Sequence, residues 1–507
     1  MKIRYKEILL AVTSGVMTAL AFPKVEIFYL AWVSLIPLLF VLLRSKPGQS
    51  FFFGLVSGFS FYAILLYWIP AVPAHYGGLS TGLSLLIYVL LALLLALVWG
   101  LFAFLVSVFF RRFSTLTFFL IPFIWISTEF ILTYLFTGFP WGLLGASQYK
   151  NIYFIQAATI AGVYGLSFIM VLFQSLLVFS TQQKRKFILI FAALFTVLLF
   201  HLGGLLSLKK ISNSDHSFTA SLIQGNTPAS TNFSTQSFPK TFDMFQKHLD
   251  LSRQAAHKGA ELAIWPELSV PLCFSCDFEP YVGFSKELLH FSQKTETTLL
   301  LGTSEISQGP NQTSYYNAAV CVNPQGSLSF YYKKHLVPFG EYTPYKFIFS
   351  FISKFTHAIG ELTPGKKHEL HHFNEIPFGS PICYEIIFPS LVRKFTKMGA
   401  EFLVTITNDG WYGTSAAPYQ HFALAVLRAV ENRRFLLRSA TTGISGAIDP
   451  YGRIIARSRL HTTTSLNIDV SPQKSLTFYT RHGDVLLWAG LTITLVFLIL
   501  SLIKRKQ

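Results

Sequence analysis

Residues 381–388 read PICYEIIF, a short apolar run with the look of a buried strand. It holds one thiol, Cys383, and two places later one carboxylate, Glu385. Cysteine is accepted in such a strand as a small hydrophobe, but a carboxylate is costly to bury without a partner. Strand ends are where α/β folds present reactive groups, so the neighbouring segments decide what this pair is for.

Those neighbours share the pattern. SLIQGN (221–226), ELAIWPE (261–267), TLLLGTSEI (298–306), AAVCVNPQG (318–326), EFLVTITND (401–409) and GAIDPYG (446–452) are short strand-like runs closed by turn residues. Between them, 241–258 and 418–433 repeat apolar residues every three or four positions, as amphipathic helices do. Residues 218–470 are therefore expected to form an α/β domain long enough for its own core.

Outside this region the composition is that of a membrane protein. Of 507 residues, 52% are apolar and only 13% charged, against roughly 25% charged in ordinary soluble domains. Apolar stretches lie near 8–22, 26–43, 51–73, 81–110, 115–136, 161–180, 187–207 and 485–503, and crossing the bilayer takes about 20 helical residues. The expectation is eight transmembrane helices, seven in residues 1–207 and one at 485–503. Lys2, Arg4 and Lys6, then Arg44 with Lys46, Arg111 with Arg112, Lys184–Lys186 and Lys504–Lys506 all fall on one face of such a bundle. The excess of basic residues marks that face as cytoplasmic. The net charge of +17 is thus read as topology, with no nucleic-acid partner. Both termini are expected inside and the α/β domain outside. No cleavable signal peptide is expected, because the first apolar stretch runs at once into another.

Three of the strand-like runs lead to reactive groups: Glu267 after Trp-Pro, a lysine in FYYKKHLVPFGEYTP (330–344), and Cys383. Each alone has an ordinary reading: a solvated turn, a surface lysine pair, a core cysteine. In combination, W-P-E, Y-x-K-x-H-L and I-C-Y-E in that order resemble the nitrilase superfamily of carbon-nitrogen hydrolases. The resemblance extends along the chain to the apolipoprotein N-acyltransferase family through TGFPW (137–141), YGLSF (164–168), QGN (224–226), LVPFGEYTP (336–344), TNDGWYG (407–413), QHF (420–422) and FYTRHGD (478–484). LVPFGEY is the most discriminating, since general nitrilases do not share it as a unit.

The resemblance implies a nitrilase-like αββα sandwich, with Cys383 as nucleophile, Glu267 as general base and Lys333 as the cation beside the developing oxyanion. The spacing selects Lys333 over Lys334, because the family lysine follows Tyr by two and precedes His by two. Glu341 and Glu385 match supporting glutamates, and the backbone N–H of Tyr384 is a second candidate oxyanion donor. The resemblance further implies a bacterial inner-membrane, multi-pass enzyme with a periplasmic catalytic domain. Its acyl donor would be a phospholipid, phosphatidylethanolamine by resemblance, and its acceptor a diacylglyceryl apolipoprotein. No cofactor or metal is expected.

The chemistry suits these residue types. A cysteine thiol near pKa 8.5 is mostly protonated at neutral pH, so a carboxylate must take the proton or a cation must stabilise the thiolate. A thioester then presents a carbonyl open to an amine. Extracting an acyl chain of about 16 carbons into water costs over 10 kcal/mol, at about 0.8 kcal/mol per CH₂, so the domain must open toward lipid. The segment 344–360, with Phe347 and Phe351 among its aromatic residues, is expected to be either a lid dipping into the bilayer or an ordinary buried helix. Trp411 and Tyr412 either line an acyl pocket or pack against the domain core. Cys273 and Cys276 form a C-x-x-C that reads as a local disulfide or free thiols. The alternative function is a membrane-anchored amidase in which water takes the acyl group.

Overall fold

The computed structural model describes residues 4–184, 186–209, 217–227, 238–269, 273–276, 281–308, 313–345, 347 and 361–503. They form two compact units: Met1–Ala71, Ser80–Ile211 and His482–Gln507 in one, Val72–Leu79 and Ser212–Arg481 in the other.

The first unit is mainly helical. Helices occupy Tyr5–Leu20, Pro47–Leu65, Thr81–Phe113, Thr117–Tyr134, Ala158–Ser180, Lys186–Lys209 and Val485–Leu502. Among the described residues, five helical segments are long and apolar enough to cross a bilayer, Thr81–Tyr134 counting once although the 3₁₀ turn Ser114–Leu116 divides it. The first helix has 16 residues, and the run at 26–43 breaks into the 3₁₀ helix Phe28–Trp32 and a seven-residue helix, Ile36–Leu42. Pro37, which is pre-organised for a first helical turn, sits at the start of the latter. Gly54 and Gly58 let Pro47–Leu65 lie directly on Thr81–Phe113: a Cβ there would stand 2.4 Å from the Trp99 carbonyl oxygen and 2.7 Å from the Trp99 Cβ. Small residues permit this approach where lipid supplies no hydrophobic drive between helices. Glu129, buried in the bundle, accepts hydrogen bonds from Ser167 Oγ at 2.8 Å, Leu144 N at 2.9 Å and Trp125 Nε1 at 3.1 Å, a structural use of an intramembrane carboxylate.

Among the described residues, the second unit contains two six-stranded sheets. Its strands are β1 (Phe218–Gln224), β2 (Leu262–Ile264), β3 (Thr298–Gln308), β4 (Thr313–Val322), β5 (Leu328–Tyr332), β6 (His371–Phe373), β7 (Ile376–Gly379), β8 (Phe402–Thr407), β9 (Leu436–Ala440), β10 (Gly446–Ile448), β11 (Ile454–Arg457) and β12 (Thr464–Val470). They order as β12-β1-β2-β3-β4-β5 and β11-β10-β9-β8-β7-β6. The sheets face each other through Phe218 against Phe402, rings 5.2 Å apart, and through Ser439 Oγ, which donates to the Ile223 carbonyl at 2.9 Å. Helices Phe238–His257 and Tyr281–Thr295 cover the first sheet, burying Phe245, Leu249 and Leu288 against Trp265, Leu299 and Leu301. Pro389–Lys397 and Ala417–Asn432 belong to the second sheet, where a Cβ on Gly379 of β7 would stand 2.5 Å from the Phe395 Cβ. The result is a helix-sheet-sheet-helix sandwich.

Direction of pairing places the chemistry. β1, β2 and β3 run parallel, β4 and β5 reverse twice, and β7, β8 and β9 run parallel. β2 and β5 therefore point the same way, and Glu267 and Lys333 follow their carboxyl ends. Cys383 and Asn408 follow the carboxyl ends of β7 and β8.

One local expectation is corrected. PICYEIIF is not a strand: it pairs only through an isolated bridge from Ile382 to Ile406, and Cys383–Ile387 forms a 3₁₀ turn. The cause is Glu385, whose N–H donates to the Ile382 carbonyl at 3.0 Å while its Oε2 accepts from Ile382 N at 2.8 Å. This reciprocal pair closes the turn and throws Cys383 to φ +49.

Candidate active site

Lys333 is the centre of the site. Just past β5, its N–H donates to the Asn317 carbonyl and its own carbonyl accepts from Gly365 N, both at 2.8 Å. Its side chain is buried and its Nζ donates to Glu341 Oε1 at 2.8 Å and Glu267 Oε1 at 3.0 Å. Burial alone would favour the neutral amine; the two carboxylates outweigh it and hold the ammonium pKa well above its ordinary value. Lys334 points elsewhere, to the carbonyl of Lys366 at 3.0 Å, as the spacing selected.

Both carboxylates are fixed at their other oxygens. Asn408 N donates to Glu267 Oε2 and Val337 N to Glu341 Oε2, each at 2.8 Å. Glu267 needs room to reach this position: a Cβ on Gly302 of β3 would stand 2.5 Å from the Glu267 Cα.

Cys383 faces this set. It is buried, hydrogen-bonded to the Thr407 side chain and coupled electrostatically to Glu267 and Lys333. Burial first, then the Glu267 carboxylate, pushes its thiol pKa up, and Lys333 opposes them without winning. The thiol therefore favours its neutral form beside the Glu267–Lys333 salt bridge. A thiol so placed can be deprotonated by the carboxylate as it attacks, with the ammonium at hand for the developing oxyanion.

Glu385 is brought near but faces another way. Besides Ile382 N, it accepts from Tyr331 Oη and Lys334 N at 2.8 Å and His335 N at 3.1 Å, so it ties the Cys383 turn to the end of β5. Burial raises its pKa, and these donors counter the rise. Tyr384 is buried, its ring 5.3 Å from Phe388 and 5.7 Å from His335.

A carbon-nitrogen hydrolase family model matches residues 220–474, and a model of the apolipoprotein N-acyltransferase N-terminal domain matches residues 14–177. The Geobacter metallireducens apolipoprotein N-acyltransferase is 35% identical over 493 residues, covering 96% of this chain and 93% of its own. The chain belongs to the apolipoprotein N-acyltransferase family. The family's Haemophilus influenzae member is 30% identical over 524 residues, covering 99% of this chain and 97% of its own. Among solved structures, Saccharomyces cerevisiae Nit3, a member of branch 10 of the nitrilase superfamily, is similar at a TM-score of 0.40 and 19% identity, covering 54% of this chain and 96% of that one.

Several site residues escaped the motif reading that led to the family. Asn317 of β4 donates through Nδ2 to Glu267 Oε1 at 2.7 Å and Glu341 Oε1 at 2.9 Å. Its signal was present, since an amide opening the apolar run NAAVCV calls for a buried partner. Thr407 and the Asn408 N–H, both in or beside TNDGWYG, carried no side-chain signal of the roles they take here.

The proposed acyl contacts divide. Trp411 packs edge-on against Tyr76 at 4.8 Å, and Tyr76 Oη donates to the Gly410 carbonyl at 3.0 Å. Tyr412 lies toward the reacting groups: burial, then Cys383, Asp409 and Glu267, push its phenol pKa well above the ordinary value, with Lys333 opposing. Phe347 is 83% exposed, while Phe351 and most of 344–360 lie outside the described residues. Cys273 and Cys276 are joined as a disulfide, in a loop whose Phe274 and Ser275 N–H groups donate to the buried Glu305 carboxylate at 2.7 and 3.1 Å.

Proposed function

We propose that this chain transfers an acyl group from a phospholipid to the α-amine of the N-terminal diacylglyceryl-cysteine of an apolipoprotein, through a thioester on Cys383. The observation that carries the reading is the buried contact of Lys333 with both Glu267 and Glu341 beside the neutral Cys383 thiol.

In the first half-reaction the Cys383 sulfur attacks the ester carbonyl as Glu267 takes the thiol proton. Lys333 and the Tyr384 backbone N–H stabilise the tetrahedral oxyanion. The C–O bond breaks, and the lysophospholipid alkoxide leaves with the proton from Glu267. In the second, Glu267 takes a proton from the lipoprotein amine as nitrogen attacks the thioester; the C–S bond then breaks, and the Cys383 sulfur leaves as the thiol with the proton from Glu267. Glu341 keeps Lys333 charged and in place, and Glu385 shapes the turn. Phosphatidylethanolamine is the expected donor.

The same reading proposes a bacterial inner-membrane enzyme with eight spans, both termini cytoplasmic and the catalytic domain periplasmic, supported by the placement of the basic clusters beside the apolar runs. The exposed Phe347 suits a surface that meets lipid.

Mass spectrometry of the Cys383 peptide after exposure to phospholipid tests the reading. A gain of one fatty acyl group that persists until a lipopeptide amine is added supports it. Immediate release of free fatty acid favours the amidase, and Cys383→Ala that still N-acylates removes the nucleophile assignment.

A further inference from the structure

The nucleophile stands in a backbone conformation that a cysteine does not choose. At φ +49 Cys383 lies in the left-handed region, which side chains other than glycine enter only when surrounding contacts hold them there. A side-chain contact on its own peptide group comes from His421, on the helix Ala417–Asn432, whose Nε2 is 3.1 Å from the Cys383 carbonyl oxygen. A carbonyl only accepts, so Nε2 carries the proton.

The ring is itself braced. Nδ1 faces Asp409 Oδ1 at 3.0 Å and Arg438 Nη2 at 3.1 Å, and Arg438 Nη2 also donates to Asp409 Oδ2 at 2.7 Å. Arg438 Nε donates to the Ile444 carbonyl at 3.2 Å, and Thr407 Oγ to Asp409 Oδ1 at 3.3 Å. His421, Asp409 and Arg438 are all at most 1% exposed. A Cβ on Gly443 would stand 2.4 Å from Asp409 Oδ2, so the chain must have no side chain there for the carboxylate to fit.

We propose that His421 is a positioning residue for the acylation step: its Nε2–H, aimed by Arg438, which donates to Nδ1 and is itself held by Asp409, fixes the Cys383 peptide in the left-handed conformation that turns the sulfur toward Glu267 and Lys333. The Nε2 proton is committed to the carbonyl and not to the thiol, so His421 takes no part in proton transfer. The inference rests on Cys383 being the nucleophile. It assigns the QHF motif to the backbone behind the sulfur.

The test uses full-length protein in phospholipid micelles and measures the rate and donor dependence of Cys383 acylation. His421→Gln places an amide N–H near the Nε2 position; His421→Leu and His421→Met fill the space with no donor. The expected result is acylation within about fivefold of wild type for Gln. For Leu and Met, kcat is expected to fall about 30- to 100-fold with the phospholipid KM unchanged. A folded Gln variant that falls about 30-fold or more overturns the proposal whether or not the apolar variants fold, and so does near-wild-type acylation by Leu or Met. Wild-type protein that forms no acyl-enzyme instead removes the nucleophile assignment itself, a separate outcome.

Discussion

Asn317 Nδ2 donates to Glu267 Oε1 at 2.7 Å while the same oxygen accepts from Lys333 at 3.0 Å. One carboxylate oxygen is thereby held by two donors, and Glu267 Oε2 by the Asn408 N–H. A hydrogen bond to a charged group contributes about 1.5–3 kcal/mol. Asn317→Leu should therefore slow Cys383 acylation by roughly 10- to 100-fold while the protein still folds. Asn317→Asp, which sets a third carboxylate against two, should lose more. Rates of acyl-enzyme formation decide it, and a wild-type rate in Asn317→Leu would show that the amide does not set the base.

The Lys333 ammonium pairs with both Glu267 and Glu341, and among the described residues neither carboxylate has another cation partner. Removing one member of a buried charge cluster leaves uncompensated charge and costs about 3–5 kcal/mol. Lys333→Met should lower thermal stability sharply and abolish acylation. Adding Glu341→Gln removes the second buried carboxylate, so the double variant should regain much of the stability and none of the activity. Thermal unfolding in detergent, run beside the acylation assay, separates the two effects. Equal stability of single and double variants would contradict the account.

Acid sensitivity should come from histidines buried neutral. His371 is fully buried, Nδ1 2.7 Å from Ser329 Oγ and Nε2 2.9 Å from Ser380 Oγ. Burial, then the neighbouring His372, push its pKa down to about 3, and burial takes His248 to about 4. In the unfolded chain both would titrate near 6.5. Between those limits the unfolded state binds more protons, so the stabilisation is complete above pH 6.5 and is lost as pH falls toward 4. Asp409, held down to about 2 chiefly by Arg438 and His421 against the effect of burial, stabilises the fold throughout that window and loses its contribution only below it, as pH falls from 3.8 toward 2. His371→Gln should reduce the dependence of unfolding free energy on pH by up to about 1.4 kcal/mol per unit. Parallel curves for variant and wild type between pH 6 and 4.5 would refute this.

The legibility of the molecule in its sequence followed the range of each interaction. β8 and the helix Ala417–Asn432 were readable because apolar periodicity is local. Lys333 was separable from Lys334 because the family pattern sets its lysine two places after Tyr331 and two before His335. Cys383, by contrast, was read as a strand residue. What makes it a turn is a carboxylate closing back on Ile382 and reaching across to Tyr331, Lys334 and His335, and periodicity carries no trace of that. In the 26–43 run the apolar length was legible, but its division by Pro37 and a 3₁₀ start was not.

Glu385 gives the last prediction, because its four donors make it the join between the nucleophile turn and the end of β5. All four are neutral N–H or O–H groups, and two of them, Lys334 N and His335 N, come from the segment that sets Lys333. Glu385→Gln keeps the shape but presents an amide NH₂ to donors on one side or the other, leaving at least one buried donor facing a donor. Each buried group left unsatisfied costs about 1–3 kcal/mol. Glu385→Gln should therefore lower the unfolding temperature and also disturb Cys383 and Lys333 together, reducing acylation by at least about tenfold. Tyr331→Phe, which removes one donor and leaves the carboxylate three, should cost less on both scales. If Glu385→Gln instead acylates normally at full stability, the turn is held by Ile382 and the His421 contact alone, and the carboxylate at the second place after the cysteine has no structural duty.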